Sequence, residues 1–310
     1  MANKKFRQHD WGPALDDDCR QIVRLAVRED LDRGQDWTTI SLIPAESQSE
    51  AEVVVRADGV VAGLATAQTV LGEMDTQIRW LSHLEDGAQV KAGQAVARLE
   101  GSTRDILTSE RILLNFLGHL SGIATLTRAF VNQVADTKAK IYDTRKTIPA
   151  WRRLEKYAVR CGGGVNHRTG LSDAVLIKDN HLAFIGHERK ADIESPLITA
   201  YQKAKQFLEN HPELDAGAMI VEIEVDDLIQ LRGVLPAKPD IVLLDNMSTD
   251  DLREAVVLRN TISPEVILEA SGGVHLETVA EIAQTGVDRI SVGALTHAAA
   301  WLDLGLDWQS

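Results

Sequence analysis

The chain has 310 residues, of which 44% are apolar, and its 46 acidic and 33 basic side chains give a formal net charge of −13. This length predicts two globular domains, and the negative charge argues against nucleic acid or an anionic membrane as a partner. Two cysteines, apolar runs too short for a bilayer and the lack of a signal-peptide core together predict a cytoplasmic location.

The chain begins with a stretch of mixed charge that shows no helical or strand periodicity. We predict that residues 1–18 form a loose N-terminal arm. Ile22, Leu25 and Ala26 then follow helical spacing, which predicts a helix that ends before Gly34.

A small sheet and a long helical stretch are predicted next. Short β-rich runs such as Glu52–Arg56 and Gln94–Leu99 alternate with Asp-Gly and Ala-Gly turns, a pattern typical of a small sheet domain. From Ser102 to Thr137 the apolar residues keep helical spacing, so we expect one or two long helices, with Gly118 and Gly122 as candidate breaks.

After residue 138, short apolar strands alternate with helical patterns, and a polar or glycine residue follows each strand. In an α/β barrel the carboxyl ends of all strands open onto one face, which carries the active site. A doubly wound sheet would place ligands similarly, but no G-x-G-x-x-G turn occurs and glycines follow the last two strands, which favours a barrel, closed or incomplete. The six predicted strands are Ala139–Tyr142, Ala174–Ile177, Met219–Ile223, Ile241–Leu244, Val266–Leu268 and Arg289–Val292.

Basic residues cluster at predicted strand ends between residues 143 and 180. They alternate with apolar strand residues that we expect to be buried, so an anionic ligand is the favoured interpretation and a solvated basic face is the alternative. The cluster consists of Arg145, Lys146, His167, Arg168 and Lys178.

Acidic residues form a second group on the following strands. Glu222 and Glu224 are two positions apart in one strand and therefore share a face, while Asp245 and Glu269 belong to the next two strands. Such carboxylates suit Mg²⁺ beside a phosphate-bearing ligand, or they bind ribose hydroxyls. The alternative is an ion-pair network with the cations inside the barrel.

Several long motifs resemble the quinolinate phosphoribosyltransferase family. They occur in order over nearly the whole chain, which distinguishes them from a chance match to one short pattern. The motifs are Glu29-Asp30, Asp36-Trp-Thr-Thr39, Ser109-Glu-Arg111 with Asn115, Asp143-Thr-Arg-Lys-Thr147, Leu154 to Arg168, Lys178-Asp-Asn-His181, Glu222-Ile-Glu-Val-Asp226, Leu243-Leu-Asp-Asn246, Glu269-Ala-Ser-Gly-Gly273 and Val292-Gly-Ala-Leu-Thr-His297.

The resemblance implies an N-terminal α/β sandwich and an incomplete, seven-stranded α/β barrel. It also implies a homodimer in which each pocket borrows Arg111 from the partner. We therefore assign the loose arm to residues 1–18, the sandwich with its helical linker to 19–115, the barrel to 116–297, and a C-terminal segment that packs back on the sandwich to 298–310.

The reaction that the resemblance implies joins quinolinate to 5-phosphoribosyl pyrophosphate. It yields nicotinate mononucleotide, pyrophosphate and CO2, uses Mg²⁺, and is a step of NAD biosynthesis. The basic cluster agrees with this reaction, because two polyanionic substrates require an unusually cationic pocket within an acidic protein.

The motif matches also imply roles for single residues. Lys146, Lys178, Glu224 and Asp245 match the catalytic set, and Glu224 and Asp245 in addition match the groups that hold Mg²⁺ or the ribose hydroxyls. The implied substrate-binding set is Arg111, Thr144, Arg145, Lys146, His167, Arg168, Lys178, Glu224, Asp245, Ser271, Gly272, Gly273, Gly293 and His297.

One segment departs from the family pattern. The family commonly carries Thr-Pro-Gly-Leu-Arg shortly after its lysine, whereas this chain has Ile148-Pro-Ala-Trp-Arg152. Ala150 and Trp151 are bulkier than the residues they replace, so we expect an altered loop conformation near the pocket.

Three other functions fit part of the pattern. They are a paralogous barrel phosphoribosyltransferase, such as the molybdenum-associated homologue, a non-catalytic sensor of phosphoribosyl pyrophosphate, and a nicotinate phosphoribosyltransferase. The complete set of pocket cations argues against the first, and the intact Lys178, Glu224 and Asp245 argue against the second. The third would bind a monocarboxylate, which needs fewer cations than this cluster supplies.

Overall fold

The structure of the protein is a computed structural model that describes residues 4–187, 196–214 and 219–308. Short 3₁₀ helices lie at Pro212–Leu214 and Leu235–Ala237. The α-helices are α1 (Pro13–Leu31), α2 (Trp37–Leu42), α3 (Leu64–Glu73), α4 (Thr103–Gln133), α5 (Arg152–Cys161), α6 (Asp179–His187), α7 (Pro196–Asn210), α8 (Leu228–Val234), α9 (Thr249–Ile262), α10 (Leu276–Gln284) and α11 (Ala294–His297). The strands are β1 (Gln48–Val55), β2 (Gly59–Val60), β3 (Ile78–Ser82), β4 (Gln89–Val90), β5 (Ala95–Ser102), β6 (Lys140–Tyr142), β7 (Ala174–Ile177), β8 (Ile220–Val225), β9 (Ile241–Asp245), β10 (Ile267–Ser271), β11 (Arg289–Ser291) and β12 (Leu304–Trp308).

The chain divides into two compact units, neither of which is one continuous stretch of sequence. The barrel unit comprises Met1–Arg7, Phe130–Arg145 and Val165–Ala294, and the sheet unit comprises Gln8–Ala129, Lys146–Gly164 and Leu295–Ser310. The predicted domain ranges treat each domain as continuous, whereas here residues 146–164 group with the sheet unit.

The sheet unit contains a four-stranded antiparallel sheet in the order β12-β1-β5-β3. Its C-terminal strand pairs with β1 from Trp308 opposite Ala51 to Leu304 opposite Val55. A separate two-stranded ribbon joins β2 and β4. The small sheet predicted between residues 50 and 100 is therefore present, but β3 and β12 lie outside the strand patterns that the sequence made visible.

The long helical stretch is one continuous helix, α4, of 31 residues. Gly118 and Gly122 do not break it; they allow the chain near residues 300–302 to approach the helix closely. A Cβ atom on Gly122 would lie 2.1 Å from the carbonyl oxygen of Ala300, and one on Gly118 would lie 3.1 Å from that of Leu302.

The barrel unit is built on six parallel strands in the order β6-β11-β10-β9-β8-β7. Strands β8 and β9 are buried on both faces, as is typical of parallel sheets that helices cover. An isolated parallel bridge joins Tyr142 to Val165 beside the edge strand β6. The incomplete barrel is confirmed, although the described residues form six strands where the resemblance implies seven.

The predicted loose arm is wrong for much of its length. Helix α1 begins at Pro13, a residue that suits the first helical position because it lacks an N–H. Its apolar face, with Leu15, Cys19 and Ile22, is buried. Before the helix, Phe6 is 5% exposed and belongs to the core of the barrel unit.

Within the part of the chain that the structure describes, no helix combines the length and apolar character needed to cross a bilayer.

Candidate active site

The side chains that point into the barrel unit change from apolar to charged along β8, from its amino end to its carboxyl end. On β8, Ile220, Glu222 and Glu224 alternate and therefore share a face. Ile220 lies at the amino end in an apolar cluster with Phe6 and Ile241. Glu222 is the middle residue of this series, and Glu224 lies near the carboxyl end, where the sequence predicted the site.

At the carboxyl end a lysine and a glutamate from neighbouring strands form an ion pair. Lys178 directly follows β7, and its Nζ contacts the carboxylate of Glu224 on β8. The Lys178 side chain is 41% exposed and that of Glu224 is 10% exposed, so the ammonium group stays accessible to a ligand. Asp245, the last residue of β9, accepts a hydrogen bond from Asn246 Nδ2 (2.8 Å).

The loops after β9 and β10 pack backbone against backbone. Asn246 has a φ of +52° and its N–H donates to the carbonyl of Ser271 (2.9 Å). Gly272 has a φ of +93°, and a Cβ there would lie 2.1 Å from Asn246 Oδ1, so this position accepts only glycine. Gly273 also has a positive φ, of +60°. Successive backbone groups in such conformations form concavities that bind anions.

Two of the predicted cations, Arg145 and Arg168, are close enough to repel each other. Arg168 is buried, and Nη1 donates to the carbonyl of Ala174 (3.3 Å). Burial and then the charge of the exposed Arg145 lower the pKa of the Arg168 guanidinium. The carboxylates of Glu222 and Asp173 act in the opposite direction on Arg168, and a bound anion would do the same.

Asp143 holds the segment that carries Arg168. This residue follows β6 and is fully buried. Its carboxylate accepts hydrogen bonds from Asn166 Nδ2 (2.7 Å) and from the backbone N–H of His167 (2.8 Å). Asp143 therefore fixes residues 166–168 against the end of β6.

His167 lies deeper in the barrel than its predicted role required. Nε2 is 3.1 Å from Glu222 and 3.4 Å from Glu269, and both glutamates are fully buried. Arg289 Nη1 is 4.0 Å from Glu269. The ion-pair alternative is thus correct for Glu222 and Glu269, and Glu269 lies inside β10 rather than beyond its end.

The pKa of His167 is set by opposing influences. Burial lowers it, but the carboxylates of Glu222 and Glu269 outweigh burial and raise the pKa to about 10. The backbone N–H of Arg168 donates to Nδ1 (2.8 Å), which disfavours a second proton on the ring. Two buried carboxylates are the stronger influence, because charged partners in a low dielectric outweigh one neutral hydrogen bond.

The two glutamates shift in opposite directions. Burial raises the pKa of Glu222. Burial also acts to raise that of Glu269, but His167 and Arg289 outweigh it and lower the Glu269 pKa. Negative charge therefore concentrates on Glu269, between His167 and Arg289.

Two groups of side chains in the barrel unit offer ligand atoms for a metal ion. His167, Glu222 and Glu269 offer ligand atoms within 4.8 Å of one another, but His167 and Arg289 already supply positive charge there. Glu224 and Asp245, on adjacent parallel strands near the carboxyl end, also suit Mg²⁺, because this ion takes few protein oxygens and keeps several waters, but Lys178 already contacts Glu224.

The remaining predicted site residues occupy both units. In the barrel unit, Thr144 is half-buried after β6, Ser271 is the last residue of β10, and Gly293 follows β11. In the sheet unit, Arg111 is exposed on α4, Lys146 is exposed, and His297 is the exposed last residue of α11. The carbonyl of Lys146 accepts a hydrogen bond from Thr296 Oγ1 (2.7 Å), which ties this segment to α11.

His167, Glu222, Glu269 and Arg289 form a buried network, which Phe6 contacts. Neither Phe6 nor Arg289 was identified from the sequence as part of it. Phe6 lies in the stretch that seemed aperiodic, and Arg289 is the first residue of a short apolar strand. For Arg289 the sequence did hold a signal, since a charged residue inside a predicted buried strand needs a partner. For Phe6 it held no signal, because a single aromatic residue defines no helical or strand period.

The comparisons with known proteins agree with this geometry. A family model described as the N-terminal domain of quinolinate phosphoribosyl transferase matches residues 36–121, and the model of the C-terminal domain matches residues 123–307. The chain is 45% identical over 293 residues to the nicotinate-nucleotide pyrophosphorylase (carboxylating) of Mycobacterium leprae. The aligned region covers 94% of this chain and 97% of the relative.

Further relatives extend the match. A probable enzyme of the same name from Bacillus subtilis is 39% identical over 289 residues, covering 93% of this chain and 92% of the relative. The solved structure of the nicotinate-nucleotide pyrophosphorylase from Francisella tularensis superposes with a TM-score of 0.86 at 37% identity, and the match covers 98% of this chain and all of that one.

Proposed function

The chain belongs to the quinolinate phosphoribosyltransferase family, and from this premise we propose that its barrel unit binds quinolinate and 5-phosphoribosyl pyrophosphate at the carboxyl ends of the strands. The enzyme transfers the phosphoribosyl group to the ring nitrogen of quinolinate. The products are nicotinate mononucleotide, pyrophosphate and CO2, in the de novo synthesis of NAD.

The observation that carries this proposal is the group of cations at the carboxyl ends of the strands: Arg145 follows β6, Lys178 follows β7, and Asp143 holds the segment that carries Arg168 against the end of β6. A pyridine dicarboxylate supplies two anionic groups, which two planar guanidinium forks can bind. We assign Arg145 and Arg168 to quinolinate, together with Thr144 and Lys146. His167, predicted for the same role, is buried against Glu222 and Glu269 and supports Arg168 instead.

The second substrate is assigned to the acidic strand ends and the glycine loops. Glu224 and Asp245 would accept hydrogen bonds from the ribose hydroxyls, and Lys178 beside Glu224 would reach either substrate. The phosphate groups would lie against Ser271, Gly272, Gly273 and Gly293, with His297 as a further contact. Backbone N–H groups at such loops favour negative charge.

The chemistry needs fixed charges rather than a covalent enzyme intermediate. The ring nitrogen attacks the anomeric carbon while the bond to pyrophosphate breaks, and positive charge develops on the ribose ring. Lys146 and Lys178 stabilise the leaving pyrophosphate, while Glu224 and Asp245 hold the ribose hydroxyls or Mg²⁺ in place. The ribosylated nitrogen then withdraws electrons from the adjacent ring carbon, so CO2 can leave and a proton can replace it.

Mg²⁺ is part of the proposal. Glu224 and Asp245 would hold the ion, which neutralises negative charge on pyrophosphate when it is bound.

The reaction is tested by incubating the protein with Mg²⁺, phosphoribosyl pyrophosphate and either quinolinate or nicotinate, and measuring mononucleotide and CO2. Both products should form with quinolinate and neither with nicotinate. Arg145→Ala should lower kcat/KM for quinolinate by about 10- to 100-fold, since each charge-assisted bond contributes roughly 1.5–3 kcal/mol. Arg232→Ala, at an exposed arginine on α8, is the matched control. Turnover of nicotinate alone would refute the substrate assignment.

We further propose a homodimer in which the exposed Arg111 completes the partner's pocket. Mixing the inactive variants Arg111→Ala and Lys178→Ala tests this directly. A mixed dimer keeps one pocket with an intact lysine and an arginine supplied by the partner, so random exchange of subunits should restore about a quarter of the wild-type activity. Activity that stays at zero after exchange, with exchange verified by native mass spectrometry, would contradict the shared site.

The other candidate functions are not favoured, because the relatives that match carry the name of the carboxylating enzyme. We place the reaction in the cytoplasm, and the two free cysteines, Cys19 and Cys161, support a reducing compartment.

A further inference from the structure

The N-terminal segment Lys4–Arg7 crosses the amino ends of two barrel strands. Lys4 Nζ donates to the carbonyl of Met219 (2.7 Å) and to Asp240 Oδ2 (3.0 Å), the residues that directly precede β8 and β9. Two residues later, Phe6 is buried beside Tyr142, Ile220 and Ile241. The segment is therefore fixed at the end of the barrel opposite the candidate active site.

Phe6 contacts both cations of the buried network. Its ring centroid is 4.2 Å from that of His167, with the two planes tilted by 30°. The guanidinium carbon of Arg289 lies 5.3 Å from the same centroid and 4.7 Å from that of Tyr142. The π-face of an aromatic ring attracts cations. Phe6 therefore adds an electrostatic attraction to the network that an aliphatic side chain of equal volume would lack.

The His167 ring is thus held by groups of different kinds. Glu222 and Glu269 approach Nε2, the backbone N–H of Arg168 approaches Nδ1, and Phe6 covers the ring. Because Arg168 directly follows His167 in the chain, movement of the imidazole changes the position of the arginine that we assign to quinolinate.

We infer that Phe6 is a positioning residue, which holds the His167 ring and through it Arg168 in place for the pyridine dicarboxylate. This inference rests on the proposed function for its substrate. Phe6 itself does not touch the substrate, since it lies at the amino ends of the strands among Ile220 and Ile241.

The kinetic test uses Phe6→Ala and Phe6→Leu in the full chain, with Ile241→Ala as a control that truncates another member of the same apolar cluster. Both Phe6 variants should raise KM for quinolinate about tenfold and leave KM for phosphoribosyl pyrophosphate within about twofold. Ile241→Ala should lower the thermal midpoint without changing the ratio of the two KM values. If Phe6→Leu matches the wild type, the ring face has no role and the inference fails.

A second measurement does not depend on turnover. In protein labelled with ¹⁵N-histidine, the His167 ring signals, assigned with a His167→Gln variant, should shift in Phe6→Leu and stay in place in Ile241→Ala. Unchanged signals in Phe6→Leu would overturn the inference even in an active enzyme. If Phe6→Leu shifts the signals but the wild-type protein does not consume quinolinate, the contact is supported and the proposed function is refuted.

Discussion

Ala150 has a φ of +71°, a left-handed conformation that a residue with a Cβ atom adopts at a cost. This is the position at which the family pattern has glycine. Trp151, the next residue, stacks on Phe116 with ring centroids 4.6 Å apart and meets His119 edge to face. The aromatic contacts of Trp151 offset the strain at Ala150, so the loop keeps a turn that glycine would form without strain.

Ala150→Gly should therefore stabilise the protein slightly. Relief of the left-handed strain is worth about 1–2 kcal/mol and the larger chain entropy of glycine opposes it by about 0.4–1 kcal/mol, so the free energy of unfolding should rise by about 0.5 kcal/mol. Urea titration measures the change. The control Ala57→Gly, at an exposed position without a positive φ, should destabilise.

The raised pKa of His167 predicts a specific pH dependence of stability. Its pKa lies near 10 in the folded protein and near 6.5 in the unfolded chain. The contribution of this histidine is therefore fully present below pH 6.5 and is lost as the pH rises through 10. Between these values the free energy of unfolding of the wild type should fall more steeply than that of His167→Gln. Parallel profiles would show that the ring stays neutral.

The sequence identified the residues at strand ends better than those inside the barrel. Lys178, Glu224 and Asp245 could be found because each closes an apolar run. The partners of Glu222 could not, because which buried charges meet depends on strand order and register rather than on spacing along one strand.

At the scale of elements, the strand patterns were informative and the termini were not. All six barrel strands appear, with bounds that differ from the predicted ones by at most three residues. The strands β3 and β12 were not predicted, because their polar and apolar residues do not alternate regularly. Pairing with β5 and β1, distant in sequence, supplies the stability that local propensity lacks.

The loop that joins β10 to α10 offers a matched pair of glycines. A Cβ on Gly272 would overlap Asn246 Oδ1, whereas one on Gly273 meets no atom within 4 Å. Gly272→Ala should raise KM for phosphoribosyl pyrophosphate by at least about tenfold, because the loop must move to relieve the overlap, and Gly273→Ala should have a smaller effect. Steady-state kinetics compare the two. Equal effects would mean that the left-handed backbone conformation of both glycines, and not the close contact with Asn246, keeps the loop in position for the substrate.

At the scale of the whole molecule, the C-terminal strand closes one edge of the sheet unit. Removal of residues 304–310 should expose the hydrogen-bonding edge of β1, lower the thermal midpoint and promote aggregation, measured by light scattering. Asp307→Asn, which weakens only the exposed pair with Arg56, should leave both properties close to wild type. A truncated protein that stays monodisperse with an unchanged midpoint would contradict this role of β12.

Because β12 pairs with β1 and all the barrel strands lie between them in sequence, the order of synthesis limits the order of folding. A nascent chain on the ribosome can form β1 and β5 early, but it cannot complete their sheet until residues 304–308 have left the exit tunnel. The edge of β1 stays open throughout that time, so it can pair with another chain for longer than in a protein whose domains follow one another along the sequence.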